Sequence, residues 1–181
     1  SVTASSPSGN SPVSGAIAAS ATGIAASGVS TATISGTASG ASTFTNISQT
    51  STSGDGTGAT FTISTNGSGT YSLGGINNTG SGYQTGDTIT ISGANLGGSD
   101  VVNDLTLTIT ALDPKSYIVS QSSTTGSGSG AIFNISSNSS GNYAVTDITT
   151  FGENYALNDI VTIAGSNVGG TDTQNDATLT L

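Results

Sequence analysis

The chain has 181 residues, ten acids against one base, Lys115, for a net charge of −9, and no His, Cys, Met, Arg or Trp. That composition excludes thiol and imidazole chemistry, disulfides and thiol-ligated metals, and it lacks the cations that a phosphate backbone or an anionic lipid surface would require. A third of the residues are apolar but only 5% are aromatic, with no apolar run long enough for a bilayer span, so direct nucleic-acid partners and membrane insertion are not expected.

In chain order, residues 1–37 differ from the rest. Their first fifteen contain Pro7, Gly9, Pro12 and Gly15 among serines and read as mobile or extended. Residues 16–36 alternate small apolar with polar residues, and Ile17, Ile24, Val29 and Ile34 are the only bulky ones. Two readings fit: a flexible linker, or an extended arm that adds a strand to an exposed sheet edge of a neighbouring subunit.

From residue 38 the sequence is a tandem repeat of 72 residues, 38–109 followed directly by 110–181. Across 54–109 and 126–181, 27 of 56 aligned positions are identical, too many and too regularly placed for a composition effect. The predicted domains are therefore an arm (1–37) and two modules (38–109 and 110–181), an arrangement typical of arrays. Region 110–125 aligns with 38–53 and belongs to the second repeat. A module of this size with few large side chains is marginal alone and is expected to be stabilised by stacking or oligomerisation.

Within a module the signal is two-residue alternation. Ala59, Phe61 and Ile63 share one face of a strand, as do Ala131, Phe133 and Ile135 in the second copy. Asn66-Gly67 then leads to a strand carrying Tyr71 and Leu73, which reads as a hairpin. The second copy has Asn138-Ser139 instead, which predicts a looser loop. Tyr83 or Tyr155 precedes a turn ending in Asp87 or Asp159, followed by strands bearing Ile89 and Ile91, or Val161 and Ile163. The last strand of the first module carries Leu105, Leu107 and Ile109; its counterpart ATLTL closes the sequence and reads as a candidate free edge. The expected fold is all-β: two tandem antiparallel β-sandwich or open-barrel modules with an extended N-terminal arm.

Six of the ten carboxylates recur in register: Asp87 with Asp159, Asp100 with Asp172, and Asp104 with Asp176. In the strings NLGGSDVVND and NVGGTDTQND, Asn95, Asp100, Asn103 and Asp104, and Asn167, Asp172, Asn175 and Asp176, are candidate calcium ligands, because a hard cation takes oxygen donors from Gly-rich loops. The loops match no EF-hand and lack a bidentate Glu, and Asp and Asn equally serve turns by bonding nearby backbone; turn formation is the favoured reading. No catalytic residue and no cofactor is expected, calcium being the one possible ligand. Glycosidase chemistry needs two carboxylates in a concave site, and here the acids repeat with the module instead of gathering once.

The segments GSGYQTGDTITISGANLGGSDVVNDLTLTI and ENYALNDIVTIAGSNVGGTDTQNDATLTL, each preceded by GxGAxFxI, resemble the repeat of virion structural proteins of marine bacteriophages, particularly tailed phages of cyanobacteria. The resemblance covers 54–109 and 126–181 and departs at Asn158 for Gly86 and Ala177 for Leu105. It implies an assembly role on a particle surface and transfers no catalytic residue. The expected function is thus a non-enzymatic, extracellular or virion-surface structural subunit, of fibre or decoration type. Its partners would be copies of itself or other virion or filament proteins. The alternatives are an adhesin or carbohydrate-binding module, in one form calcium-organised, that contacts a host-surface glycan, or a subunit of a bacterial extracellular filament.

Overall fold

A computed structural model describes residues 2–4 and 17–181, with side-chain surroundings from Ala19 onward; the Pro/Gly-rich stretch 5–16 lies outside the described residues. The strands in chain order are β1 (Val2–Ala4), β2 (Ile17–Thr22), β3 (Val29–Ser35), β4 (Ser42–Ser48), β5 (Ser51–Thr52), β6 (Thr60–Thr65), β7 (Tyr71–Asn78), β8 (Thr88–Ile91) and β9 (Leu105–Leu112). After these come β10 (Lys115–Ser120), β11 (Ser123–Thr124), β12 (Ser129–Ser137), β13 (Tyr143–Glu153), β14 (Ile160–Ile163) and β15 (Ala177–Thr180). Every strand pairing is antiparallel, and two short 3₁₀ turns, Gly93–Leu96 and Gly165–Val168, are the only helical elements among the described residues.

The chain divides into two compact units, a continuous one, Ala26–Asp113, and a split one made of Ser1–Ala25 and Pro114–Leu181. In the continuous unit the sheets run β3-β9-β8-β5 and β4-β6-β7. Alternation turns Phe61 and Ile63 of β6 and Tyr71 of β7 toward Ile89, Ile91, Leu105, Leu107 and Ile109 of β8 and β9, and all are buried in one cluster. Two sheets sharing one core make a sandwich, and no barrel closes. Each fully buried Ile, Leu or Phe contributes about 1.5–3 kcal/mol, so this short list supplies most of the hydrophobic stabilisation.

The split unit repeats the plan with sheets β1-β2-β15-β14-β11 and β10-β12-β13 around Phe133, Ile135, Tyr143, Val161, Ile163 and Leu179. Strand β15 is flanked by β14 and β2, so the expected free edge at ATLTL is corrected: an arm strand covers it. The loop at Asn138 is longer than a two-residue turn, as expected, spanning 138–142, and the first copy's loop at 66–70 has the same form. Asn138 Oδ1 accepts the Ser140 and Asn142 amides, as Asn66 Oδ1 accepts those of Ser68 and Thr70, and the side chain closes both turns without help from Gly67.

The extended arm enters both sandwiches. Strand β2 pairs with β15, with Thr22 opposite Thr178 and Ser20 opposite Thr180, and β3 pairs with β9, with Ser35 opposite Thr106 and Thr33 opposite Thr108. Because residues 106 and 178 are equivalent in the repeat, Thr22 corresponds to Ser35, and the arm carries a 13-residue repeat of its own. Its next position is Gly23 or Gly36, at φ 133° or 129°, a conformation that L side chains rarely adopt. A Cβ there would collide with the carbonyl of Asp176 or Asp104. Two residues on, the Ala25 amide donates to Gly141 O and the Ala38 amide to Gly69 O, at 2.8 and 2.9 Å.

Candidate functional site

The recurrent acids and amides lie in the loops that join β8 to β9 and β14 to β15. In the first, Ser92 starts the 3₁₀ turn, its Oγ accepting the Ala94 amide, and Gly97 ends it in the left-handed region. Asp104 Oδ1 accepts the amides of Gly93 and Val101, both at 2.9 Å. Asn103 Oδ1 accepts the Ser99 amide and its Nδ2 donates to Thr37 O of the arm, again at 2.9 Å. Asp100 Oδ1 accepts from the Ser92 hydroxyl and from the Ala94 amide. Asn95 sits in the 3₁₀ turn, its amide donating to Ser92 O.

The second loop reproduces this network. Asp176 Oδ1 takes the Gly165 and Thr173 amides, Asp172 Oδ1 takes the Ser166 amide, and Asn175 bridges the Thr171 amide to Ile24 O. Asn167 Nδ2 reaches Ser122 Oγ at 3.4 Å. The candidate calcium ligands are thus brought into one loop per unit, where six of the eight, all but Asn95 and Asn167, have one side-chain oxygen that accepts a backbone amide. Among the described residues no three acids cluster as a metal site. Hydrogen bonds from Ser166, side chain first and amide second, hold the exposed Asp172 carboxyl below its ordinary range.

Asp87 and Asp159 do similar work one turn away, accepting the amides of Gln84 and Ala156 at 2.9 and 2.8 Å. Beside them lies a buried polar knot. Tyr83 donates its hydroxyl to Gln49 Oε1 and accepts the Ala59 amide, while Gln49 Nε2 donates to Gly56 O. Tyr155, Gln121, Ala131 and Gly128 repeat it. Tyr71 and Tyr143 reach across to the carbonyls of Asn103 and Asn175 at 2.6 and 2.9 Å. Burial pushes all four tyrosine hydroxyls up in pKa.

No residue pattern in the loop signals the backbone conformation at Val101. Val101 has φ 68°, a strained conformation for a β-branched residue, and Val101 and Val102 are 85% and 73% exposed. The equivalent Thr173 shares the conformation, at φ 70°. Asp104 and Asp176 hold these amides, so the shape belongs to the loop and only the first module places apolar side chains on it.

No protein-family model, curated protein or solved structure matches this chain. Among the described residues no helix is long and apolar enough to cross a membrane.

Proposed function

We propose that the chain is a non-enzymatic structural subunit of an extracellular assembly, a surface protein of a phage virion of fibre or decoration type. One observation carries this reading: all six carboxylates shared by the repeats accept backbone amides of their own loops. Acids used that way shape loops and leave the chemistry of the module to its faces and edges. The resemblance of the repeat segments to phage virion proteins points the same way. Partners are copies of the chain or other virion proteins, packed through strand edges and the arm. The solution mass of the full chain, followed by light scattering as concentration rises, tests the reading: growth beyond the monomer is expected, and a monomer throughout would overturn it.

The exposed Val101-Val102 pair favours a second reading, an adhesin or carbohydrate-binding module that presents loop 93–104 to a host-surface glycan. A glycan screen separates the two, because binding lost on replacing both valines by Ser would support the adhesin.

A further inference from the structure

The two units differ at one edge of the sandwich. In the split unit, β1 pairs with β2 as Val2 opposite Ala19, Thr3 opposite Ala18 and Ala4 opposite Ile17, and it also lies against β13. The 13-residue repeat of the arm maps Ile17, Ala18 and Ala19 onto Ser30, Thr31 and Ala32 of β3. The 72-residue repeat maps Val145, Asp147 and Ile148 of β13 onto Leu73, Gly75 and Ile76 of β7. Those six residues of β3 and β7 line an open groove of about 600 Å³ in the continuous unit. No described strand pairs with that edge of β3.

We propose that this groove receives β1 from a second copy of the chain, antiparallel to β3, with Val2 opposite Ala32, Thr3 opposite Thr31 and Ala4 opposite Ser30. The occupant follows from the molecule itself, since the equivalent place in the split unit is filled by this very strand. Beyond Val29, whose amide donates to Thr79 O, this edge of β3 offers main-chain hydrogen bonds to an added strand, and the six residues named carry no charge, which suits the uncharged segment Val-Thr-Ala; Asp113 is the one acid in the groove lining. Only three residue pairs join β1 to β2, and exchanging them for the same register on β3 of the next copy links copies head to tail. The proposal rests on the structural-subunit reading and gives it a donor, an acceptor and a register.

Because the chain has no Cys, the register is testable by mixing two full-length variants, Thr3→Cys and Thr31→Cys, under mild oxidation and identifying the linked peptides by mass spectrometry. A mixed link joining positions 3 and 31 is expected, at ~tenfold or more the yield obtained when Ile24→Cys replaces Thr31→Cys, because docking raises the local concentration of the paired thiols. Light scattering on the same mixtures separates the failures. Assembly without the 3–31 link would overturn groove docking and leave the subunit reading standing, whereas a monomer with no link would overturn both.

Discussion

The Tyr83 hydroxyl donates to Gln49 Oε1, a partner 34 residues earlier in the chain. The Tyr83 hydroxyl oxygen also accepts the Ala59 amide at 3.2 Å, and the tyrosine has no exposure to solvent. Gly56 is required here, because a Cβ on it would overlap the ring. Tyr83→Phe leaves a half-buried acceptor on Gln49 and a buried donor on Ala59 without partners, at an expected cost of about 1–3 kcal/mol in urea unfolding. Tyr155→Phe should cost less, since Tyr155 is only half-buried and water can replace the lost bonds. Equal stability of Tyr83→Phe and the parent would show that the knot contributes nothing.

The tyrosines also set the pH response. Tyr71, Tyr83, Tyr143 and Tyr155 all have folded-state pKa values raised above the ordinary value near 10, burial being the first cause in each. A raised folded value means that stability is fully present below about pH 10 and is lost as pH rises from there through the folded pKa. Stability should therefore fall on the alkaline side, and Tyr143→Phe should flatten that fall when unfolding is followed from pH 9 to 12. Asp172, held low, has the opposite sign: its contribution is present above the ordinary carboxylate range and fades only as acid protonates it.

The loops give a third expectation. Asp104→Ala leaves the Gly93 and Val101 amides without their acceptor and should cost about 1–2 kcal/mol, whereas Asp104→Asn, which keeps an acceptor oxygen, should cost less. Since the loop acids already bond backbone, calcium at about 1 mM, within the range that extracellular calcium modules require, should leave the melting temperature where a chelator leaves it. A rise with calcium that is abolished by Asp104→Ala would make these loops metal sites.

Gly36 and Gly23 test the two arm strands separately. Gly36→Ala meets both a positive φ and the Asp104 carbonyl, and it should destabilise the continuous unit by about 2 kcal/mol or more. Gly23→Ala should act likewise on the split unit through the Asp176 carbonyl. Limited proteolysis of each variant shows which unit opens, and cleavage confined to the arm in both would contradict the pairing of β2 and β3.

Legibility followed side-chain size. Phe61, Ile63, Ile89, Leu105 and Leu107 alternate with threonines and serines, and two-residue periodicity in large apolar residues is enough to place a strand and its inward face. The arm has mostly Ala and Ser in the same rhythm, which permits a strand without saying where it pairs. Its 13-residue repeat is visible only as Thr22-Gly23-Ile24-Ala25 beside Ser35-Gly36-Thr37-Ala38, four residues of common types, and gains meaning once Asn175 and Asn103 are seen bonding the carbonyls of Ile24 and Thr37. The loop acids were legible as a repeated constellation. Which atoms they bond was not, because a carboxylate that accepts amides and one that binds a cation have the same spacing.

Each arm strand is a working strand of a sandwich, β2 on β15 and β3 on β9, so that the arm completes both modules. Hydrogen exchange of the full chain, read by mass spectrometry over peptides spanning 17–36, tests this most directly. Protection of those peptides close to that of 105–112 and 177–181 is predicted. Exchange of 17–36 at the rate of an unstructured chain, with the module strands still protected, would contradict it.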